Sequence, residues 1–132
     1  MSTLFAKIIN GKIPSYKVFE DSLTFAFLDI HPINPGHILI VPKIEIDEIW
    51  QVPEPYYTKI FENSKMIATA IIKSTNCLRV CAWVEGFSVA HAHYHLCPIF
   101  SAKGEFWSKK AIFQSEDELK IMQQTIISNL SQ

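Results

Sequence analysis

Apolar residues first recur with a helical period in Thr3-Leu4-Phe5-Ala6-Lys7-Ile8-Ile9, where Leu4, Phe5, Ile8 and Ile9 share a face and Asn10-Gly11 supplies a stop. The pattern then changes to β-type. Lys17-Val18-Phe19-Glu20 and Thr24 to Ile30 predict a hairpin around Asp21-Ser22, followed by a turn at Asn34-Pro35-Gly36 and a strand from His37 to Val41 that ends at Pro42. Between Pro55 and Ser74 the positions Tyr57, Ile60, Phe61, Ile67, Ala68, Ile71 and Ile72 return to helical spacing and predict the main core-covering helix. Leu78 to Val84 is rich in β-formers and apolar on both faces, so it reads as an interior strand that reaches the next one through Glu85-Gly86. That next segment, Val89-Ala90-His91-Ala92-His93-Tyr94-His95-Leu96, alternates and reads as a strand with three imidazoles on one face. Ser115-Glu116-Asp117-Glu118 is a capping-box sequence ahead of Leu119, Met122, Ile126 and Leu130, which predicts a C-terminal helix. The order lacks a βαβ rhythm and points to an α+β domain with an antiparallel sheet.

Composition narrows the function classes. A chain of 132 residues fits one domain, and residues 1–132 show no repeat, linker or low-complexity tract. The net charge is -1, and the single arginine, Arg79, and scattered lysines form no basic stripe, which argues against a nucleic acid partner. Cys77, Cys81 and Cys97 are odd in number and make no CxxC pair, which suits core thiols in a reducing compartment. No apolar leader or membrane-length run stands out, so a cytoplasmic protein without membrane partners is expected.

The chemistry lies in the histidine run. Neutral and charged imidazole coexist near neutral pH, and close imidazoles resist being charged together, so a cluster can set a neutral nucleophile beside a proton donor. A metal is the competing use. His91 and His95 would stand about 13 Å apart at the backbone of a strand, near the limit for two side chains reaching one ion, and His37 or a carboxylate would have to complete the shell. With no GxxxxGK[ST] loop present, a phosphoryl or nucleotidyl substrate held by the histidines, without a metal or other cofactor, fits the residues best.

His91-Ala92-His93-Tyr94-His95-Leu96-Cys97 resembles the signature of the histidine triad (HIT) superfamily, each histidine being followed by an apolar residue. Leu4 to Ile9 with Ile13-Pro14 and Phe19-Glu20-Asp21, then Ala26 to Ile30, and Pro35-Gly36-His37 to Pro42-Lys43 resemble its N-terminal half in order and spacing. Gly86-Phe87-Ser88-Val89 looks closest to a bacterial-type subgroup, while the loop is shorter than in Hint-type members and Phe87 stands where they often carry glutamine. The resemblance implies an antiparallel five-stranded sheet with one long central helix, a short N-terminal helix and a C-terminal helix. It also implies a homodimer that hydrolyses or transfers at the α-phosphate of purine nucleotide conjugates, either nucleoside phosphoramidates or dinucleoside polyphosphates. In that scheme His93 forms a nucleotidyl-histidine intermediate. His91 and His95 orient it, stabilise phosphate charge or pass a proton, and His37 is the fourth pocket histidine. Asp29 binds the ribose hydroxyls, Leu4, Phe5, Ile8, Phe27 and Ile30 wall the base, and the Ser88 hydroxyl and Val89 backbone N–H meet the phosphate. Glu45 takes no chemical role, and Trp83, Phe106 and Trp107 could cap a pocket, with core or dimer packing the better-supported reading. Two other uses of the same residues are a slow nucleotide-binding or interaction module and a histidine-cluster metal-binding protein.

Overall fold

The computed structural model describes residues 2–102 and 110–131, so Phe106 and Trp107 lie outside the described residues. Helix α1 spans Leu4–Ile9 and is followed by strands β1 (Lys17–Glu20), β2 (Thr24–Leu28) and β3 (Ile38–Pro42). A 3-10 turn at Ile49–Gln51 leads into helix α2 (Tyr56–Thr75), then come β4 (Arg79–Val84), β5 (Tyr94–Ile99) and helix α3 (Glu116–Ser128). The strands form one antiparallel sheet in the order β1-β2-β3-β5-β4. This is the expected α+β arrangement.

Strand alternation divides the buried residues between two faces. Ala26 and Leu28 of β2, Ile38 and Ile40 of β3 and Leu96 of β5 join Ile60, Ile67, Ala70 and Ile71 of α2 and Leu119 and Ile126 of α3 in the main core. Phe25 and Phe27 of β2 and Leu39 and Val41 of β3 point the other way and meet Phe5 and Ile8 of α1 in a smaller cluster. Both faces of β2 and β3 are thereby covered, and every residue of these strands is buried. The second, thinner layer carries the candidate site.

Helix ends follow the local chemistry. Thr3 caps α1 by accepting from the Ala6 amide at 3.1 Å. At α3 the Ser115 hydroxyl accepts from Glu118 N and the Glu118 carboxylate accepts from Ser115 N, completing the expected capping box. Gly36, at φ +97°, makes the turn before β3, and a Cβ there would stand 3.1 Å from Thr75 Cγ2 and 3.3 Å from Pro98 Cγ.

Two strand readings are corrected. Leu78 to Val84 does not make an interior strand: β4 is an outer strand of the sheet, with Leu78 63% and Val84 41% exposed. Apolar side chains on both faces produce the same pattern whether covered by the chain itself or left open, so periodicity cannot distinguish the cases. The three histidines also do not share one strand. β5 begins at Tyr94, and the chain before it leaves the ladder, with the Ala92 amide donating instead to the Ile46 carbonyl at 2.7 Å. Of the thiols, Cys97 is buried as expected, while Cys77 and Cys81 are half-buried. Among the described residues no helix is long and apolar enough to cross a membrane.

The hairpin β1–β2 is tied to α2 through Asp21. Its carboxylate accepts from the amides of Leu23 (2.9 Å) and Thr24 (2.7 Å), from the Thr24 hydroxyl (3.0 Å) and from buried Asn63 Nδ2 (2.8 Å). Burial alone would raise its pKa, but the hydrogen bonds from Asn63, Leu23 and Thr24 outweigh this and hold it below the ordinary value. Asp21→Ala strands buried donors on Thr24 and Asn63 and is expected to lower unfolding free energy by about 2 kcal/mol in urea titrations followed by circular dichroism. A loss below about 0.5 kcal/mol would show that this network does not anchor the hairpin.

Candidate active site

The site is built on the second face of the sheet, where β3 and β5 run side by side with Leu39 opposite His95. His37, just before β3, is 2% exposed and lies beside His95, their ring centroids 5.2 Å apart. The turn ahead of β3 sets the His37 proton. Ile33 N–H donates to His37 Nδ1 at 3.1 Å, so the ring proton sits on Nε2, which donates to His95 Nδ1 at 3.0 Å. His95 therefore carries its own proton on Nε2. That nitrogen is buried and has no hydrogen-bond partner among the described residues. A buried N–H without a partner costs free energy, which a ligand oxygen would recover.

His93 has the opposite tautomer. Its Nδ1 lies 2.8 Å from the His91 carbonyl oxygen, which only accepts, so Nδ1 is the donor and Nε2 keeps its lone pair. The His93 ring is 5.1 Å from that of His95 and 5.0 Å from that of Phe5, centroid to centroid. His91 supports this arrangement. Its Nε2–H donates to the Pro42 carbonyl at 2.9 Å and its Nδ1 accepts from the Thr3 hydroxyl at 2.9 Å, so both ring nitrogens are occupied. Thr3 in turn donates its backbone N–H to the Glu45 carboxylate, which ties the start of α1 to the loop after β3.

Burial favours neutral imidazole at His37, His91 and His95. Desolvation lowers the pKa of His37, partly offset by Asp29, whose Oδ2 is 3.9 Å from His37 Nε2. His91 is lowered mainly by burial, and its hydrogen bond to the Pro42 carbonyl and the charge of Glu45 oppose the shift. His95 is pushed down to about 3 by burial first and then by His37 and His93.

A cavity of about 430 Å³ opens beside His93 and His95, within the roughly 300 to 1,000 Å³ usual for small-molecule sites. Leu4, Phe5, Ile8, Phe27, Asp29, Ile30, Ser88, His93 and His95 line it, so nine of the expected site residues meet around one space. Phe5 and Phe27 pack edge to face at 5.5 Å and form its apolar wall. His37 and His91 stand behind His95 and His93, outside the lining. Val89 packs against the Phe5 and Phe27 cluster, also outside the lining.

Residues not assigned to the site from sequence also belong to it. Trp83 of β4 stacks on His95 with centroids 4.8 Å apart and planes 7° from parallel. Glu85 lines the cavity beside His93. Thr3 holds His91, and its only sequence signal was its capping position. As to metals, Asp29, His37 and His95, or Glu85, His93 and His95, offer ligand atoms within 4.8 Å of one another. The first set contains His37 and His95, which are hydrogen-bonded to each other, while in the second His95 Nε2 has no partner among the described residues.

Neutral buried histidines link stability to pH. The unfolded chain takes up protons from about pH 6.5 downward, while His95 in the folded chain does so only near 3, so stability is full above about 6.5 and falls with pH below it. His37 and His91 contribute with the same sign. The urea midpoint is expected to be flat from about pH 8 to 7 and to drop between about 6.5 and 5, with a shallower drop in His95→Asn. A midpoint constant across that interval would contradict a neutral buried cluster.

Comparison with known proteins gives a consistent result. The HIT domain family matches residues 10–102. The adenosine 5'-monophosphoramidase of Schizosaccharomyces pombe is 31% identical over 134 residues, covering 98% of this chain and 99% of that protein. An adenylylsulfatase of Arabidopsis thaliana is 31% identical over 100 residues, covering 72% of this chain and 51% of that protein. The crystal structure of a Hit-like protein from Bartonella henselae superposes with a TM-score of 0.87 at 25% identity, covering 98% and 96% of the two chains. The family match spans most of the chain, from ahead of β1 to beyond β5, and includes all the histidines of the cluster; the chain belongs to the HIT family.

Proposed function

We propose that this protein hydrolyses or transfers at the α-phosphate of purine nucleotide conjugates, with His93 as nucleophile and no metal or other cofactor. The observation that carries the reading is the pairing of opposite tautomers in one cavity: a lone pair on His93 Nε2 beside a buried, unpartnered N–H on His95. The named activities of the yeast and plant relatives support the same class of substrate. In this reading the base lies between Phe5, Ile8 and Phe27, with Leu4 and Ile30 at its edge and Asp29 accepting from the ribose hydroxyls. Ser88 and the Val89 amide face the phosphate, and His95 Nε2–H donates to a phosphate oxygen.

The chemistry balances in two steps. Entry of the phosphate anion offsets the desolvation that keeps His37 and His95 neutral, and that pair takes up one proton from solvent. His93 Nε2 attacks phosphorus, an N–P bond forms, and the bond to the leaving group breaks as that group accepts the proton from His95. Water then attacks the nucleotidyl-His93. His93 departs with its electron pair, and the water proton returns to His95. His91 is a positioning residue, holding His93 through its backbone carbonyl while its own ring is fixed by Thr3 and Pro42.

The homodimer is also proposed. Outer strand β4 has its backbone open to pairing on one side and exposes Leu78 and Val84, which suits a second copy of the same strand. Sedimentation equilibrium is expected to give twice the chain mass, and a monomer at tens of micromolar would reject this. For the chemistry, adenosine 5'-phosphoramidate and a diadenosine polyphosphate are offered to the wild type and His93→Ala. The variant is expected to lose at least about a thousandfold in kcat, as removal of a nucleophile does elsewhere. Intact-protein mass spectrometry of quenched wild type should show one added nucleotidyl group, absent from the variant. Equal turnover by both proteins, or none by either, would defeat the assignment.

A further inference from the structure

Strand alternation places Val80 of β4 and Leu96 of β5 against the main core, so Cys81 and Cys97, one position further along each strand, lie on the opposite face. The register sets these two cysteines directly opposite each other, and Trp83 directly opposite His95 on the next rung of the same face. Nothing in the spacing of the cysteines along the chain brings them together; the pairing of β4 with β5 does. Directly opposed residues of an antiparallel pair have Cα atoms about 4.5 or 5.5 Å apart, inside the roughly 4.4 to 6.8 Å that a disulfide spans. Both residues are thiols in this structure, and they differ in access: Cys81 is half-buried on an outer strand, while Cys97 is fully buried. The Cys97 S–H donates to the adjacent Pro98 carbonyl at 3.6 Å, a weak bond to give up. Cys77 precedes β4 and has no place on the ladder opposite Cys97.

We propose that Cys81 and Cys97 are a site of reversible oxidation, closing to a cross-strand disulfide that distorts the histidine site one rung away. The oxidant is a peroxide, which reaches the half-buried Cys81 first. The Cys81 thiolate attacks one peroxide oxygen, an S–O bond forms as the O–O bond breaks, and the departing hydroxide takes the thiol's proton and leaves as water. The Cys97 sulfur then attacks the Cys81 sulfur, the S–O bond breaks, and a second water departs with the Cys97 proton. Two thiols have lost two electrons and two protons, one peroxide has become two waters, and a dithiol reverses the reaction by exchange. Opposed Cβ atoms stand about 4.5 to 5.5 Å apart, whereas a disulfide holds them at about 3.5 to 4.5 Å, so closure draws β4 and β5 together by about an ångström. The neighbouring rung takes up that shift. There Trp83 stacks on His95 at 4.8 Å, and His95 Nδ1 accepts from His37 Nε2 at 3.0 Å, contacts that a displacement of this size misaligns. A second copy paired along the outer edge of β4 would use its backbone and leave both thiols on their face of the sheet.

The test treats folded wild type, Cys81→Ser and Cys77→Ser with hydrogen peroxide, blocks remaining thiols and maps the digested peptides by mass spectrometry. Wild type and Cys77→Ser are expected to become lighter by two hydrogens, with the Cys81 and Cys97 peptides joined and released again by dithiothreitol; Cys81→Ser should give no such link. Long-range proton–nitrogen spectra of the histidine rings read the coupling without any substrate. The His95 resonances should move on oxidation of wild type, return on reduction and stay in place in peroxide-treated Cys81→Ser. Turnover of adenosine 5'-phosphoramidate by wild type is expected to fall about tenfold in kcat/KM on oxidation and to recover with dithiothreitol, a modest loss for groups displaced by this much. Thiols left unlinked, oxidation of Cys81 that stops at sulfinic or sulfonic acid, or a link through Cys77 overturns the pair. A Cys81–Cys97 link that leaves the His95 resonances unmoved overturns the coupling. The turnover measurement alone rests on the function proposed above: a reduced protein that turns nothing over defeats that function, while the peptide masses and the histidine spectra still decide the oxidation site.

Discussion

The hydrogen bond from Ile33 N–H to His37 Nδ1 is the constraint on which the site depends. An amide can only donate, so this single contact puts the His37 proton on Nε2, which makes His95 Nδ1 an acceptor and leaves His95 Nε2–H with no acceptor among the described residues. The His91 carbonyl does the converse for His93, since an oxygen that can only accept leaves Nε2 with its lone pair. Two backbone groups thus assign opposite roles to two adjacent imidazoles. At His95 burial reinforces the assignment by disfavouring the charged form in which both nitrogens would donate.

The fold makes those backbone groups available by covering its sheet unequally. Helices α2 and α3 seal one face with a continuous aliphatic core, which fixes β3 and β5 as neighbours and sets Leu39 against His95. Among the described residues, the other face receives short α1, Ile13 just after it and the segment before β5, a layer thin enough to leave a cavity beside the histidines. Asn34 belongs to the same construction. Its side chain donates to the Pro98 carbonyl at 2.8 Å, pinning the turn that holds Ile33 and His37 to the strand that carries His95.

Local chemistry made much of this legible in the sequence. The Ser115 to Glu118 box, the Gly36 turn and the apolar stripe of α2 each involve residues close in the chain and are found where their patterns placed them, and the Thr24 to Ile30 run forms its strand as far as Leu28. The residues gathered around the cavity were legible for another reason: a resemblance supplied long-range proximity that periodicity cannot. Three features were not legible. Leu78 to Val84 looks interior because a strand apolar on both faces carries no mark of which neighbours it lacks. Alternation at His91, His93 and His95 suggested one strand, but strand pairing needs a partner, and the partner of Ala92 is the Ile46 carbonyl in a loop. Trp83 joins the site only because cross-strand register puts it opposite His95.

Charge distribution connects these parts to the proposed chemistry. Among the described residues, the cavity beside the histidines has no lysine or arginine in its lining, so a bound phosphate meets hydrogen-bond donors there but no fixed cation. Imidazoles kept neutral by burial are then the groups able to respond, because an anion beside them repays the cost of charging one of them. A permanent cation at the same place would hold phosphate product as firmly as substrate, whereas a proton acquired with the substrate can leave with the departing group.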